Sequence, residues 1–138
     1  MQPAARRRRR GATAVEFALA APVLLLIVFA AIEFSRVNML RHTIAEAAYE
    51  GARRGIVPGA TAEEVRSAAT NIVRSASANT FAVDVLPATL APDTPQVSVT
   101  VSIPIAENTW GISMFFRGRT LVKSFTLQRE KYETVSVP

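Results

Sequence analysis

The chain has 138 residues, a formal net charge of +5, no cysteine and one histidine. Without cysteine, a disulfide framework, a thiolate zinc site and a cysteine nucleophile are excluded. Five consecutive arginines, Arg6 to Arg10, carry the whole excess of positive charge, and the remainder of the chain is neutral. A nucleic-acid surface needs basic residues spread over a folded face, so this distribution excludes nucleic acid as a partner.

An apolar run follows the arginines over residues 12–32, with Thr13 and Glu16 as its polar interruptions. As a helix it spans about 31 Å at about 1.5 Å per residue, close to the roughly 30 Å hydrocarbon thickness of a bilayer. The sequence therefore predicts a basic leader over residues 1–11 and a transmembrane helix over residues 12–33. Because arginine is held on the cytoplasmic side, we expect the N-terminus in the cytoplasm and the rest of the chain across the membrane.

Helical periodicity continues beyond the apolar run. Spacings of three and four residues connect Val37, Leu40, Ile44, Ala47 and Gly51. Ala47, Gly51 and Gly55 also form a ladder of small residues that lets another backbone approach closely. Two interpretations stay open, namely packing between subunits and packing of the helix on the chain's own sheet. Pro58-Gly59 stops a helix, so residues 34–59 are predicted to be a helix extension and a linker.

The second half of the chain predicts one helix and three strands. Residues 61–64 form a capping box that opens a helix. The apolar period then changes to two over residues 81–85, 97–103 and 121–127, which is typical of strands. The predicted fold class is α+β: a long N-terminal transmembrane helix extends into a second region, and one helix then packs on a small antiparallel sheet. The helix and sheet form a periplasmic domain over residues 60–138.

A short motif marks the start of the apolar run. Gly11 ends the basic leader, and Glu16 lies five residues later inside an otherwise apolar helix. An ionised carboxylate near the centre of a bilayer costs about 2.5–3.5 kcal/mol, so Glu16 needs a partner at depth. Cleavage after Gly11 would supply one, because Ala12 would gain a positively charged α-amine. The alternative is that Glu16 lies at the membrane surface, one turn into the helix, where the helix dipole favours an acidic side chain.

Three further stretches accompany this motif: residues 15–26 with Pro22, the exit Ile32-Glu33-Phe34-Ser35-Arg36, and residues 45–53. With them, residues 10–55 resemble the TadE-like pseudopilins of Flp/Tad type IV pilus systems. The resemblance implies a bacterial inner-membrane protein cut by a prepilin peptidase between Gly11 and Ala12. It also implies that the Glu16 carboxylate pairs with the α-amine of a neighbouring subunit and sets register during assembly.

Pro22 has a structural and a neutral interpretation. It would remove the hydrogen bond to the Ala18 carbonyl and kink the span, which would make it an assembly residue together with Glu16. Membrane helices also tolerate proline, so it can equally be without a role.

No catalytic constellation is recognisable, because His42 is alone, no glycine-rich loop is present and no carboxylates are paired. We therefore expect no enzyme, no catalytic residue, no cofactor, no metal and no small-molecule substrate. The expected partners are the membrane, a prepilin peptidase and other pilin or pseudopilin subunits. The leading hypothesis is a minor pseudopilin or pilus-assembly component, and the alternative is an uncleaved signal-anchored protein whose periplasmic domain binds a partner.

A second apolar run lies near the C-terminal end of the chain: Trp110-Gly111-Ile112-Ser113-Met114-Phe115-Phe116. It has two interpretations, closure of the small core or contact with a partner or membrane.

Overall fold

The computed structural model describes residues 4–76, 78–108 and 118–129, with residues 4–10 described by their backbone alone. The elements in chain order are helix α1 (Ala4–Gly55), helix α2 (Ala62–Ser75), and strands β1 (Ala82–Leu86), β2 (Gln96–Pro104) and β3 (Thr120–Gln128). A single 3-10 turn, Ile105–Glu107, follows β2. The chain divides into two compact units, Met1–Ser35 and Arg36–Pro138, called the first and second unit below. The run at residues 110–116 lies outside the described residues.

The first unit consists of the N-terminal part of α1, whose apolar side chains are exposed. Phe17 and Leu19 are each 72% exposed, and none of the most apolar stretch is buried. Over Gly11–Gly55 the helix is long and apolar enough to cross a membrane, by length and composition. Each exposed large apolar side chain would cost about 1.5–3 kcal/mol in water relative to a buried one. This unit fits a single-pass membrane protein with its span near the N-terminus.

The second unit packs two helical segments on one face of a three-stranded sheet. The strand order is β1-β2-β3 and both pairs are antiparallel, with Val85 opposite Val99 and Val99 opposite Phe125. Side chains from α1, α2 and the central strand fill one core, and the fully buried ones are Leu40, Ile44, Ala47, Ala48, Ala52, Val65, Ala69, Val73, Val97, Val99, Val101 and Ile103. The prediction of an α+β fold with a long N-terminal apolar helix is therefore confirmed.

Local sequence explains why α2 begins where it does. The Glu64 N–H donates to the Thr61 hydroxyl at 3.2 Å, and the Thr61 N–H donates to the Glu64 carboxylate at 3.4 Å, so the predicted capping box is confirmed. The apolar face that follows buries Val65, Ala69 and Val73. Satisfied N–H groups at the first turn and one apolar face against the sheet hold α2 in place.

Period-two alternation explains β2, the central strand. Its odd-numbered residues from Val97 to Ile103 are fully buried, and its even-numbered residues Ser98, Thr100 and Ser102 are half-buried on the other face.

The segment boundaries predicted at residues 11, 33 and 59 stay predictions. The second unit nevertheless includes residues 36–55 of α1, whose side chains form a large part of the core that the sequence had placed in residues 60–138.

Candidate functional site

The predicted processing position lies inside α1. Gly11 and Ala12 are exposed, and a Cβ added at Gly11 would meet no atom within 4 Å. Glycine inside a helix is less stable than alanine by roughly 0.5–1 kcal/mol. Since nothing in the described part of the chain crowds this position, the fold itself gives no reason for a glycine here.

Glu16 lies one helical turn after Ala12, on the same side of α1, because residues four apart share a helix face. Its side chain is exposed. The apolar run of residues 12–32 contains no other ionisable side chain. A free α-amine at Ala12 would therefore be within a turn of the Glu16 of its own chain and accessible to the Glu16 of another.

Pro22 lies within α1, and the helix continues on both sides of it. Proline has no N–H, so the Ala18 carbonyl loses the hydrogen bond that another residue at position 22 would donate. The side chain of Pro22 is exposed like its neighbours in the span. Pro22 therefore leaves the backbone carbonyl of Ala18 without its usual N–H donor, on a part of α1 whose side chains are exposed.

The ladder of small residues lies inside the core of the second unit. A Cβ on Gly51 would stand 3.1 Å from the Ala69 Cβ and 3.2 Å from the Val99 Cγ1, and one on Gly55 would stand 2.8 Å from the Val97 Cγ1. Ala47 is fully buried. The three residues let α1 approach α2 and the sheet closely, so this face is not accessible to a helix of another subunit. Of the two interpretations left open by the sequence, the geometry favours packing on the chain's own sheet.

Asn108 is a buried polar residue that sequence reasoning missed. Its side-chain oxygen accepts from the backbone N–H of Asn79 at 2.7 Å and of Thr80 at 3.4 Å. Its side-chain amide donates to the carbonyls of Thr80 and Pro104, both at 2.9 Å. The Arg36 Nε donates to the Asn108 carbonyl at 2.7 Å. Asn108, which is 2% exposed, thus ties together α1, the α2–β1 connection and the end of β2.

No local sequence pattern identifies Asn108, because its partners are 4, 28, 29 and 72 residues away in the chain. Its role here is structural. Across residues 4–76, 78–108 and 118–129, no three His, Cys, Asp or Glu side chains come together as metal ligands would.

A known family model matches the N-terminal part of the chain. Residues 11–53 match the family model described as TadE-like protein, which confirms the resemblance found in the sequence. The match begins at Gly11, includes Glu16 and Pro22, and covers about a third of the chain. Neither the curated proteins nor the solved structures contain a match to this chain. TadE-like pilus-assembly proteins are not known as enzymes.

Proposed function

From a family match that indicates a Tad pilus-associated protein with an N-terminal apolar helix, we propose that the chain is a minor pseudopilin or pilus-assembly component. It is inserted in the bacterial inner membrane by α1, with the arginines in the cytoplasm and the second unit in the periplasm. A prepilin peptidase cuts it after Gly11. It then packs with other pilin or pseudopilin subunits and carries out no catalysis of its own.

The observation that carries the proposal is the pair Gly11 and Glu16 at the start of the matched segment. A glycine at position 11 makes the helix less stable and relieves no close contact within the described residues. The presence of glycine here is therefore explained best by an interaction with another protein. A peptidase that works at the membrane face needs an unhindered backbone at the bond it cuts. Glycine at position 11 supplies that backbone.

Glu16 supports the assembly step. An acidic side chain in the bilayer costs about 2.5–3.5 kcal/mol on insertion scales, and no other ionisable group lies in residues 12–32 to offset this cost. The α-amine created at Ala12 is the group of opposite charge that cleavage brings to the same depth. Pairing between the carboxylate of one subunit and the amine of the next would both neutralise the charges and fix the axial register.

The division of α1 between the two units supports contacts between subunits through the part of α1 that lies in the first unit. Residues 12–32 expose apolar side chains all round the helix, whereas the small residues at 47, 51 and 55 are buried in the second unit. Without water there is no hydrophobic drive between helices in a bilayer, so association depends on shape and on polar pairs such as the one proposed for Glu16. Packing between subunits is therefore expected along the apolar span.

One observation favours the uncleaved signal anchor as a second candidate. The backbone is helical on both sides of Gly11, from Ala4 onward. The Gly11–Ala12 peptide bond is then part of a regular helix, which has to open before a peptidase can bind the chain. In this candidate Glu16 stays near the membrane surface, and the second unit binds a periplasmic partner.

Intact mass of the full chain, purified from its native membrane, tests the cut. We expect the wild-type chain to begin at Ala12, and Gly11→Val to remain longer and membrane-bound with its arginines attached. Ala14→Val is the matched control, because it adds the same branched side chain to α1 three residues away and should be cut normally. A wild-type chain that begins at Met1 would contradict the processing step and favour the uncleaved anchor.

Glu16→Gln tests the assembly step separately. The substitution removes the charge and keeps the shape, so insertion should become easier by up to about 3 kcal/mol and cleavage should continue. Recovery of the chain in pilus-associated complexes should fall several-fold. Glu46→Gln is the control, since Glu46 is exposed on α1 in the second unit. Equal recovery of both variants and the wild type would refute the proposed pairing.

A further inference from the structure

A small cavity lies in the second unit, at the end of the sheet where β2 begins. The connection between α1 and α2 forms one wall, and the loop between β1 and β2 forms the other together with the residue that follows β3. Its volume is about 170 Å³. Most of its lining is apolar, and six of the lining residues are Ile56, Pro58, Ala60, Leu90, Pro92 and Arg129. Among the described residues that line it, Arg129 is the one that carries a charge.

The Arg129 side chain is fixed by the loop between β1 and β2. Its backbone N–H donates to the Pro95 carbonyl at 2.9 Å, and its guanidinium donates to the Ala91 carbonyl at 2.7 Å. The Thr94 N–H donates to the same Ala91 carbonyl at 3.1 Å, so the guanidinium is anchored on a turn that has a hydrogen bond of its own. A guanidinium has five N–H donors, and the bond to Ala91 uses one of them. Half-buried Arg129 is therefore held in one place with donors to spare.

The charge of Arg129 is not neutralised by an ion pair within the described residues. The ion pairs found there join Arg53 to Glu50, Arg54 to Glu64 and Arg66 to Glu63. Glu64, close to the cavity in sequence, is thus engaged by Arg54 and by the Thr61 N–H. Asp93 is exposed in the loop, and none of these pairs includes it. A fixed, half-buried arginine without a counter-ion favours a ligand with a carboxylate, because charge-assisted hydrogen bonds are the strong ones.

The size of the cavity restricts what the carboxylate can be attached to. A cavity of about 150 Å³ holds a group the size of benzene, whereas pockets for drug-sized molecules measure about 300–1,000 Å³. At about 170 Å³ the cavity has no room for a nucleotide or a coenzyme, but it can hold the side chain of one apolar residue. The last residue of a polypeptide carries a carboxylate and a side chain on the same carbon. It needs room for the chain in one direction only, whereas an internal acidic residue brings chain on both sides.

We propose that this cavity binds the C-terminal residue of a partner polypeptide. The α-carboxylate accepts hydrogen bonds from the Arg129 guanidinium, and the apolar side chain packs between Ile56 and Leu90. Capture of a terminal carboxylate is a recurring mode of peptide recognition. The two prolines in the lining, Pro58 and Pro92, have fixed φ angles, which limits the ordering that binding requires. The site depends neither on cleavage at Gly11 nor on a role in a pilus.

Titration of the detergent-solubilised full chain with three small probes tests the site, with the methyl signals of Ile56 and Leu90 as reporters in NMR spectra. N-acetyl-L-valine imitates a chain end, N-acetyl-L-valinamide replaces its carboxylate by a neutral amide of the same size, and isovalerate is a free acid without a peptide group. We expect N-acetyl-L-valine to shift both signals with a Kd of roughly a few millimolar, as suits a ligand of about 11 non-hydrogen atoms. The amide should bind about ten-fold more weakly.

Three variants assign the selectivity to Arg129. Arg129→Met removes the charge and keeps an apolar stem, so N-acetyl-L-valine should bind about ten-fold more weakly and the amide should be unaffected. Since this change also removes the bond to Ala91, Arg129→Lys is the second variant. It keeps a charge and a donor but not the planar fork, and should weaken binding about three-fold. Arg66→Met is the matched control, because Arg66 is an exposed arginine on α2 that does not line the cavity; binding should stay within about two-fold of the wild type.

The comparison of acid and amide in the wild-type chain decides the proposal even if a variant fails to fold. Equal binding of the two, or no shift at Ile56 and Leu90 with any probe, would overturn it. Isovalerate that binds at least as tightly as N-acetyl-L-valine would show a site for free acids, which rejects a chain end. Arg66→Met as weak as Arg129→Met would remove Arg129 from the site. Binding seen only after residues 130–138 are deleted would mean that the chain's own end fills the cavity, and would rule out a partner. A cleaved, assembled chain that binds no probe refutes this site alone and leaves the pseudopilin function intact.

Discussion

Asn108→Ala should destabilise the second unit strongly, although the side chain is small and polar. The substitution removes three side-chain hydrogen bonds of 2.7 to 2.9 Å at a residue that is 2% exposed. At about 0.5–1.5 kcal/mol net for each bond, the loss for the three bonds is about 1.5–4.5 kcal/mol. Amide hydrogen exchange along β2, the central strand, reports this free energy of opening. Since about 1.4 kcal/mol is a factor of ten, exchange in the detergent-solubilised full chain should become roughly 10- to 1,500-fold faster.

Two further variants make the reasoning refutable. Asn108→Asp keeps the volume but turns a carboxylate oxygen toward the carbonyls of Thr80 and Pro104, so at neutral pH it should be at least as destabilised as the alanine variant. Asn71→Ala changes an exposed asparagine on α2 and should alter β2 exchange by no more than about 0.5 kcal/mol. If Asn108→Ala matches Asn71→Ala, the hydrogen bonds at Asn108 do not hold the unit together.

Gly55→Ala would place a Cβ 2.8 Å from the Val97 Cγ1, and overpacking of this kind costs about 1–3 kcal/mol, so β2 exchange should accelerate. Gly51→Ala should cost less in the same measurement, since its nearest neighbour would be 3.1 Å away; a larger effect at Gly51 would contradict the close approach described for Gly55. Thr61→Ala removes the hydroxyl that accepts from the Glu64 N–H, so the first turn of α2 should lose about 1 kcal/mol and exchange faster. Unchanged exchange in that turn would show that the cap does not stabilise α2.

Local patterns predicted the elements whose determinants are close in sequence. The capping box needs four consecutive residues, and alternation over residues 97–103 needs seven, so both could be found without a structure. The apolar run before Glu33 is similarly self-contained. These features depend on the backbone period and on side chains a few positions apart, which the sequence displays directly.

What the sequence left open depends on distant parts of the chain. The same glycines at 51 and 55 suit a neighbouring subunit or the chain's own sheet, and only the position of Val97 and Val99 decides between them. Asn108 looks like a loop residue until Arg36, 72 residues earlier, is found beside its carbonyl. At the candidate site, Gly11 and Glu16 were recognised from their spacing and type. The partners proposed for them are outside this chain, so its fold does not test their roles.

The change in α1 at residue 36 has a consequence for how the protein can be recombined with others. Up to Ser35 the helix belongs to the first unit, and from Arg36 it supplies Leu40 and Ile44 to the core of the second. The family match, residues 11–53, runs across this change, so the matched segment is not a module that can be exchanged whole. A chimera joined at the end of α1 would pack the sheet of this chain against the α1 side chains of another protein. One joined between Ser35 and Arg36 would keep the second unit complete and exchange the span alone.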